Sequence, residues 1–132
     1  MHLPVEQTDC FLRFVAVADW AWEVVSGWQP LARDTLGKQL VRAADSIGAN
    51  MVEGDGRYAK ADSLHFFVVA RGSARETRYW LERAKVRGLI SDAEYTEQIN
   101  AINHATRQLN SLINYRRSQP SGVKEESSEY GE

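Results

Sequence analysis

The segment from Gln39 to Arg57, which reads QLVRAADSIGANMVEGDGR, constrains the fold of this chain more than any other. On a helix that turns 100° per residue, its apolar side chains fall on one side and a polar set falls on the other, within an arc of about 80°. A helix of this kind must bury its apolar face against other elements. The apolar set comprises Leu40, Ala44, Ile47 and Met51, and the polar set comprises Arg42, Ser46, Asn50, Glu53 and Arg57.

Two helices are predicted in the first half of the chain. The first runs from about Glu6 to Trp28 and ends at Gly27 and Pro30. The second runs from about Asp34, as its N-cap, to Glu53, and Gly54-Asp55-Gly56 breaks it by supplying a backbone with positive φ. The apolar face of the first helix comprises Phe11, Phe14, Val15, Ala18, Trp22 and Val25.

Two more helices are predicted in the second half. The third starts at residue 62 or 63 and continues to about Arg87, where Gly88 is a natural C-terminal stop. The fourth opens with Ser91 followed three residues later by Glu94, the spacing of a capping box, and it fades near Arg117. Its periodic residues are Tyr95, Ile99, Ile102, Thr106, Leu109 and Ile113.

The order of these segments predicts an all-α fold. No run with a period of two is bounded by hairpin turns, so strands are not expected. Helices of about 20 residues with short links pack as an antiparallel up-down-up-down four-helix bundle, which we expect to span residues 1–117 as one domain. Residues 118–132 are rich in Ser, Gly and Glu, with one lysine against four glutamates, and are expected to be a disordered acidic tail.

The location of the protein is predicted by what the chain lacks. The single cysteine, Cys10, excludes an intramolecular disulfide and fits a reducing compartment. No apolar run reaches the roughly 18 residues of a membrane span, and the N-terminus does not have the pattern of a signal peptide. We therefore expect a cytoplasmic protein with no membrane contact.

A basic stripe is the main candidate for contact with a partner. Residues 57–87 contain eight basic side chains and three acidic ones, although the whole chain has a formal net charge of −2. Arg71, Arg75 and Arg78 are spaced by four and three residues, on one side of the third helix. Arginine forks onto phosphate, so this stripe suits a nucleic acid or an acidic protein. The alternatives are a solvated face and ion pairs between subunits.

The polar set of the second helix has two interpretations. The favoured one is a hydrogen-bonded network, partly buried, that fixes a turn or a subunit contact. Asn50 would bridge towards Ser46 and Arg42, and Glu76 of the third helix would reach an arginine of the second. The other interpretation is a phosphate or ligand site that uses Arg42 and Arg57. Gly72 and Ser73 predict that another helix approaches the third helix closely.

No pattern predicts catalysis. His2, His65 and His104 lack neighbours at metal-ligand spacing. Di-iron bundles carry the Glu-x-x-His motif on two helices, whereas this chain has one similar segment, Asp62-Ser-Leu-His65, with aspartate in place of glutamate. Cys10 lacks an activating base and is expected to be a small buried apolar residue. Trp22 is assigned to the core, whereas Trp20 or Trp28 could mark an interface. We expect no catalytic residue, no metal and no cofactor.

Together these residues resemble the "four helix bundle protein" family, whose founding members are encoded in intervening sequences of bacterial large-subunit ribosomal RNA genes. The family includes the accessory variability protein of diversity-generating retroelements. The resemblance covers about residues 8–117 and departs at Asp45, Gly48 and Met51, and in the tryptophan-rich first helix. Its motif comprises Gln39, Arg42, Ala43, Ala44, Ser46, Ile47, Asn50, Glu53, Gly54, Gly56 and Arg57, followed by Phe66, Phe67, Ala70, Gly72, Ser73 and Glu76.

This resemblance implies a homopentameric ring without enzyme activity. For the retroelement members it implies a basic surface that binds nucleic acid and a reverse transcriptase. Our leading hypothesis is a non-enzymatic accessory or scaffolding protein that binds RNA or DNA through Arg71, Arg75 and Arg78, with Arg42 and Arg57 as further candidates. The alternatives are a protein-binding module for a reverse transcriptase or another protein, without nucleic-acid contact, and a hydrolase or metal enzyme.

Overall fold

The computed structural model describes residues 3–121. In this range the chain folds into four long helices. A 3-10 turn, Val5–Gln7, precedes the first long helix. A single helical turn, Pro30–Ala32, and a π-helical stretch, Arg33–Gly37, run directly into the second. No strand occurs within residues 3–121, so the predicted all-α class is confirmed there. The long helices are α1 (Asp9–Ser26), α2 (Lys38–Asp55), α3 (Lys60–Val86) and α4 (Asp92–Ser118).

One core holds the four helices together. The apolar face predicted for α2 is buried as a whole, since Leu40, Ala44, Ile47 and Met51 are at most 1% exposed. Every helix contributes to the same cluster, and burial of each large apolar side chain contributes about 1.5–3 kcal/mol. The largest fully buried side chains are Phe14, Leu40, Ile47, Met51, Leu81, Ile102, Leu109 and Ile113.

The start of α1 and one of its tryptophans differ from the prediction. Thr8 caps the helix, because its side chain accepts a hydrogen bond from the backbone N–H of Phe11, and Gly27 is the C-cap. The prediction that Trp22 lies in the core is wrong, because the side chain is 61% exposed. It follows the buried Ala21 by one residue, which turns it 100° away from the core. Trp20 and Trp28 instead pack against the core.

The entry into α2 also differs. Pro30, which was expected to end the first helix, occupies the first position of the helical turn that follows Gln29. Proline suits that position because its missing N–H would have no partner there. Asp34 is therefore not an N-cap; it lies inside the π-helical stretch and binds the side chain of Arg33.

Gly54 lies at a close contact between α2 and α3. A Cβ atom there would be 3.0 Å from the backbone oxygen of Ser63 and 3.2 Å from Cβ of Phe66. The expected positive φ at the Gly54–Gly56 breaker is wrong: Gly56 has a φ of −83°, and Gly88 alone has a positive φ within residues 3–121. Helix contact, and not backbone handedness, explains the glycine.

The predicted ends of α3 and α4 are confirmed. Gly88 has a φ of 73°, and Ser91 and Glu94 form both hydrogen bonds of the capping box. Lys60 at the start of α3 donates to the backbone oxygens of Arg117 and Gln119, at 2.5 and 2.7 Å. The predicted tail begins at Ser118, which is the last residue of α4, and residues 122–132 lie outside the described part of the chain. Within residues 3–121, none of the helices is both long and apolar enough to cross a membrane.

Candidate nucleic-acid interface

The polar face of α2 meets α3 at Ser46 and Asn50. The hydroxyl groups of Ser46 and Ser73 lie 2.9 Å apart, and either can donate to the other. The amide nitrogen of Asn50 donates to the backbone oxygen and to the hydroxyl of Ser46, at 2.8 and 3.0 Å. These three side chains thus form a partly buried polar network that links the two helices.

The charged members of the same face lie outside this network. Arg57 donates to Glu53 at 2.5 Å, and the two side chains are 42% and 51% exposed. The guanidinium carbon of Arg57 also lies 4.8 Å from the centre of the Phe66 ring, the geometry of a cation–π contact. The amide of Asn50 binds Ser46, and no hydrogen bond joins it to Arg42, which is exposed near the start of α2. Ser46 and Asn50 are therefore partly buried, as expected, whereas the charged side chains of this face are exposed.

Glu76 has a different partner from the predicted one. Its carboxylate accepts a hydrogen bond of 3.1 Å from the indole nitrogen of Trp80, one turn further along α3. The expectation that it reaches an arginine of the second helix is wrong. The side chain fixes an indole on its own helix.

Of the three arginines of α3, Arg71 contacts α4. The guanidinium of Arg71 donates to the amide oxygen of Asn110 at 3.0 Å, and this bond is partly buried. Arg75 is exposed and Arg78 is half-buried. Because only one nitrogen of Arg71 is engaged by Asn110, its remaining donors can still bind an anion.

A second polar stripe, on α4, was missed at the sequence level. Five residues follow one another at spacings of four, three, four and three, which places them on one side of the helix. Asn110 is one of them, and its bond to Arg71 joins this stripe to the arginines of α3. We call the combined set the α3–α4 surface: Arg71, Arg75, Arg78, Asn103, Arg107, Asn110, Asn114 and Arg117.

The composition of the α3–α4 surface suits a polyanion. It contains five arginines and three asparagines, and exposed Glu82, four residues after Arg78, shares this side of α3 by helical spacing. Arginine forms paired hydrogen bonds with phosphate, and asparagine binds phosphate oxygens or base edges. The regular spacing of residues 103, 107, 110, 114 and 117 is the sequence signal for this stripe. The distribution of charge along the chain does not reveal it, because three of the five residues are uncharged asparagines.

The outer side of α3 carries exposed apolar side chains and open space at Gly72. No atom outside the backbone of its own helix and its chain neighbours lies within 4 Å of a Cβ built on Gly72. The expected close approach of another helix is therefore wrong at Gly72 within the chain, and it is confirmed at Ser73, which meets Ser46 of α2. Val68, Tyr79 and Val86 share this side by helical spacing and are 37%, 53% and 63% exposed. We call these four residues the outer face of α3. An exposed apolar stripe of this kind is typical of a protein contact.

Cys10 and His65 pack against their neighbours, and His2 lies outside residues 3–121. Cys10 is buried, and its thiol lies 3.3 Å from the backbone oxygen of Ala105. Burial, with a smaller contribution from the charge of Asp9, raises the pKa of Cys10 to about 12, so the reactive thiolate is suppressed. His65 packs edge-on against Phe66. Within residues 3–121, no three His, Cys, Asp or Glu side chains are grouped closely enough to hold a metal ion.

Comparison with known proteins places this geometry in a family. Residues 6–111 match the family model of the 23S rRNA-intervening sequence protein. The fold is similar to the crystal structure of a protein of unknown function from the S23 ribosomal protein family of Bacteroides thetaiotaomicron. That structure has a TM-score of 0.71 and 25% sequence identity, and the match covers 79% of this chain and 97% of the other. No curated protein matches the chain in sequence.

Proposed function

This chain belongs to the family of 23S rRNA-intervening sequence proteins, and we propose that it is a non-enzymatic accessory protein that binds nucleic acid through the α3–α4 surface. The observation that carries the proposal is the hydrogen bond between Arg71 and Asn110, because it joins an arginine stripe and an asparagine stripe into one surface. In this proposal the four helices run up-down-up-down in an antiparallel bundle, and the protein works in the cytoplasm.

The mixture of side chains favours nucleic acid over an acidic protein. An acidic protein would be served by cations alone, whereas neutral asparagines add donors and acceptors for sugar, phosphate and base edges. The surface also follows two neighbouring helices, so that several phosphates can be bound along it. Contact with a reverse transcriptase or another protein is the competing outcome of the experiment below.

Salt-dependent binding tests this proposal. We expect a structured RNA hairpin and a DNA duplex, titrated by fluorescence anisotropy, to bind with a log–log salt slope of about −0.9 for each phosphate contact. Replacing Arg71, Arg75 and Arg78 by glutamine should flatten the slope by about 2.7 and weaken binding at low salt. Asn110→Ala, which leaves the net charge unchanged, should weaken binding without flattening the slope.

A matched variant separates this surface from general charge. Replacing Arg13, Arg83 and Arg87 by glutamine removes the same number of charges from positions outside this side of α3 and should retain most of the affinity. Equal losses in the two triple variants would contradict the proposal. Absence of binding at low salt, with co-purification of a protein that the Arg71, Arg75 and Arg78 variant loses, would favour the protein-binding alternative.

We also propose that copies of the chain assemble, as the family resemblance implies, into a homopentamer, and that the outer face of α3 contributes to the contact. The support is its exposed apolar character together with the open space at Gly72. Glycine at an interface lets two helices approach closely. Association would bury apolar surface, and each Å² removed from water contributes roughly 25 cal/mol to the free energy of association. The entropy lost on assembly must be subtracted from this gain.

The state of assembly is measurable directly. Mass photometry or sedimentation velocity should give five times the mass of one chain for the intact protein. Val68→Glu together with Tyr79→Glu should yield a folded species of lower mass, because charge on the outer face opposes association. Leu12→Glu with Tyr115→Glu, at residues that are 53% and 64% exposed on other helices, is the matched control. A monomeric intact protein would contradict this part of the proposal without affecting the nucleic-acid part.

A further inference from the structure

Two cavities adjoin at the beginning of α2 and share the cations Lys38 and Arg42. The first, of about 320 Å³, lies between α1 and the start of α2. We call it the tryptophan cleft, and its lining consists of Trp22, Val25, Ser26, Arg33, Gly37, Lys38, Val41 and Arg42. The second, of about 460 Å³, extends from the shared cations to Trp80 and Arg87.

Trp22 gives the cleft an aromatic wall with no role in the core. Its side chain is 61% exposed, although tryptophan buries more apolar area than any other residue when it is covered. Val25 and Val41 supply an apolar floor. An exposed indole beside an apolar floor is suited to a flat ring, because stacking needs only a π-face.

Lys38 interacts electrostatically with Asp34, which lies one helical turn before it, whereas Arg42 has no such acidic partner within residues 3–121. Arg33 is paired with Asp34 at 2.8 Å, so it contributes less. No carboxylate lines the tryptophan cleft, and Asp34 lines only the neighbouring cavity. An anionic group on the occupant would therefore meet the charge of Arg42 and that of Lys38, which Asp34 offsets in part.

We propose that the tryptophan cleft binds an unpaired nucleotide of a single-stranded nucleic acid, with the base against Trp22 and a phosphate on Lys38 and Arg42. A nucleotide supplies both a flat ring and an anion. The fork of Arg42 matches a phosphate, and the volume lies within the range of small-ligand sites. The only neutral polar side chain in the lining is Ser26, whose hydroxyl already donates to the backbone oxygen of Trp22, so binding is tolerant of sequence.

This site is distinct from the α3–α4 surface, and it goes beyond the proposed function. The tryptophan cleft is built from α1, the π-helical stretch and the start of α2, and none of its lining residues belongs to the α3–α4 surface. A structured RNA could contact the arginines of α3 with its duplex while an unpaired nucleotide enters the cleft. Each contact can fail without the other.

Short oligo-dT and oligo-rU, which have little secondary structure, are the probes for the cleft. On titration into the full chain at low salt, they should quench tryptophan fluorescence, and Trp22→Phe should remove most of the quench. Trp22→Ala should raise the Kd about tenfold, the usual size of a lost stacking contact. Lys38→Gln with Arg42→Gln should flatten the log–log salt slope by about 1.4. Comparison of the two probes shows whether RNA or DNA is preferred.

Three controls make the result decisive. Tyr115→Ala removes another exposed aromatic side chain, and Arg13→Gln with Lys85→Gln removes two charges elsewhere; both should bind as the unaltered protein does. The variant lacking Arg71, Arg75 and Arg78 should keep the quench, which separates this site from the proposed function. Unchanged affinity in Trp22→Ala would overturn the inference. So would Trp22-dependent binding of an acidic peptide, such as residues 122–132, in the absence of oligonucleotide binding.

Discussion

The hydroxyl groups of Ser46 on α2 and Ser73 on α3 lie 2.9 Å apart, at the point where the polar face of α2 meets the next helix. Asn50 donates to the same Ser46 hydroxyl, so three short side chains share one partly buried network. In a helix interior, serine and asparagine compete with the backbone for hydrogen bonds. In this protein their side chains bond to each other instead, and the Ser46–Ser73 contact links α2 to α3.

Removal of one hydroxyl from this network should be costly. Ser46→Ala leaves Ser73 and Asn50 each short of a partner and should lower the free energy of unfolding by about 1.5 kcal/mol. In urea denaturation, the double change Ser46→Ala with Ser73→Ala should cost less than the sum of the single changes, with a coupling of about 1 kcal/mol. Ser111→Ala, at an exposed serine, should cost almost nothing. Strict additivity would contradict a shared network.

Gly54→Ala tests the close approach of α2 and α3. The new methyl group would press on the backbone of Ser63 and on Phe66, and backbone cannot move aside as a flexible side chain can. We expect a loss of about 2 kcal/mol in the free energy of unfolding, as is usual for an overpacked contact. A thermal melt measures it. An unchanged or raised melting temperature would contradict the assignment of Gly54 as a packing residue.

Gly72→Ala should act in the opposite direction on the single chain. A Cβ at this exposed helical position meets nothing within 4 Å, and alanine favours a helix over glycine by about 1 kcal/mol. Conditions that favour the monomer should therefore show a higher melting temperature. If the outer face of α3 is an interface, the same change should weaken assembly in sedimentation velocity. A stabilised chain with undiminished assembly would exclude Gly72 from the contact.

The sequence predicts the core well because helical periodicity is a local property. The spacing of Leu40, Ile47 and Met51 defines a face without knowledge of the neighbouring helix. The capping box of Ser91 and the stop at Gly88 are equally local, since each is determined by a few adjacent residues. These features are confirmed.

The errors arise where one helix meets another. Gly54 looks like a backbone breaker, and only the position of Ser63 on α3 shows that it is a contact. Trp22 lies at the edge of the apolar arc of α1, so the packing of the other helices decides whether it is covered. The α3–α4 surface depends in the same way on the pairing of Arg71 with Asn110, residues that are 39 positions apart.

The contribution of the Asp45 carboxyl to the free energy of unfolding should rise as the pH falls. Partial desolvation of this largely exposed carboxyl, and secondly the charge of Asp19, raise its pKa above the ordinary value of 3.8. A carboxyl with a raised pKa in the folded state stabilises the fold below its unfolded pKa, and this contribution is lost as the pH rises through the folded value. Asp45→Asn should therefore stabilise the protein at pH 7 by about 0.5 kcal/mol.

Asp34 provides the matched comparison for Asp45. Its hydrogen bond with Arg33 lowers the pKa of the carboxyl, so its contribution is present above the unfolded pKa and is lost on acidification. In urea denaturation at neutral pH, Asp34→Asn should be neutral or slightly destabilising, the opposite sign to Asp45→Asn. Both differences should vanish in acid, where every carboxyl is protonated. Equal signs at neutral pH would contradict this account of the two environments.

Cys10 should be unreactive while the chain is folded. Its thiol is buried near the backbone oxygen of Ala105, and burial raises the pKa to about 12, so almost no thiolate is present near pH 8. A maleimide label should react only as fast as the chain unfolds, and urea should accelerate the reaction. Ser111→Cys, at an exposed site on α4, should be labelled at once in the same protein. Rapid labelling of Cys10 without denaturant would mean that the packing between α1 and α4 opens readily.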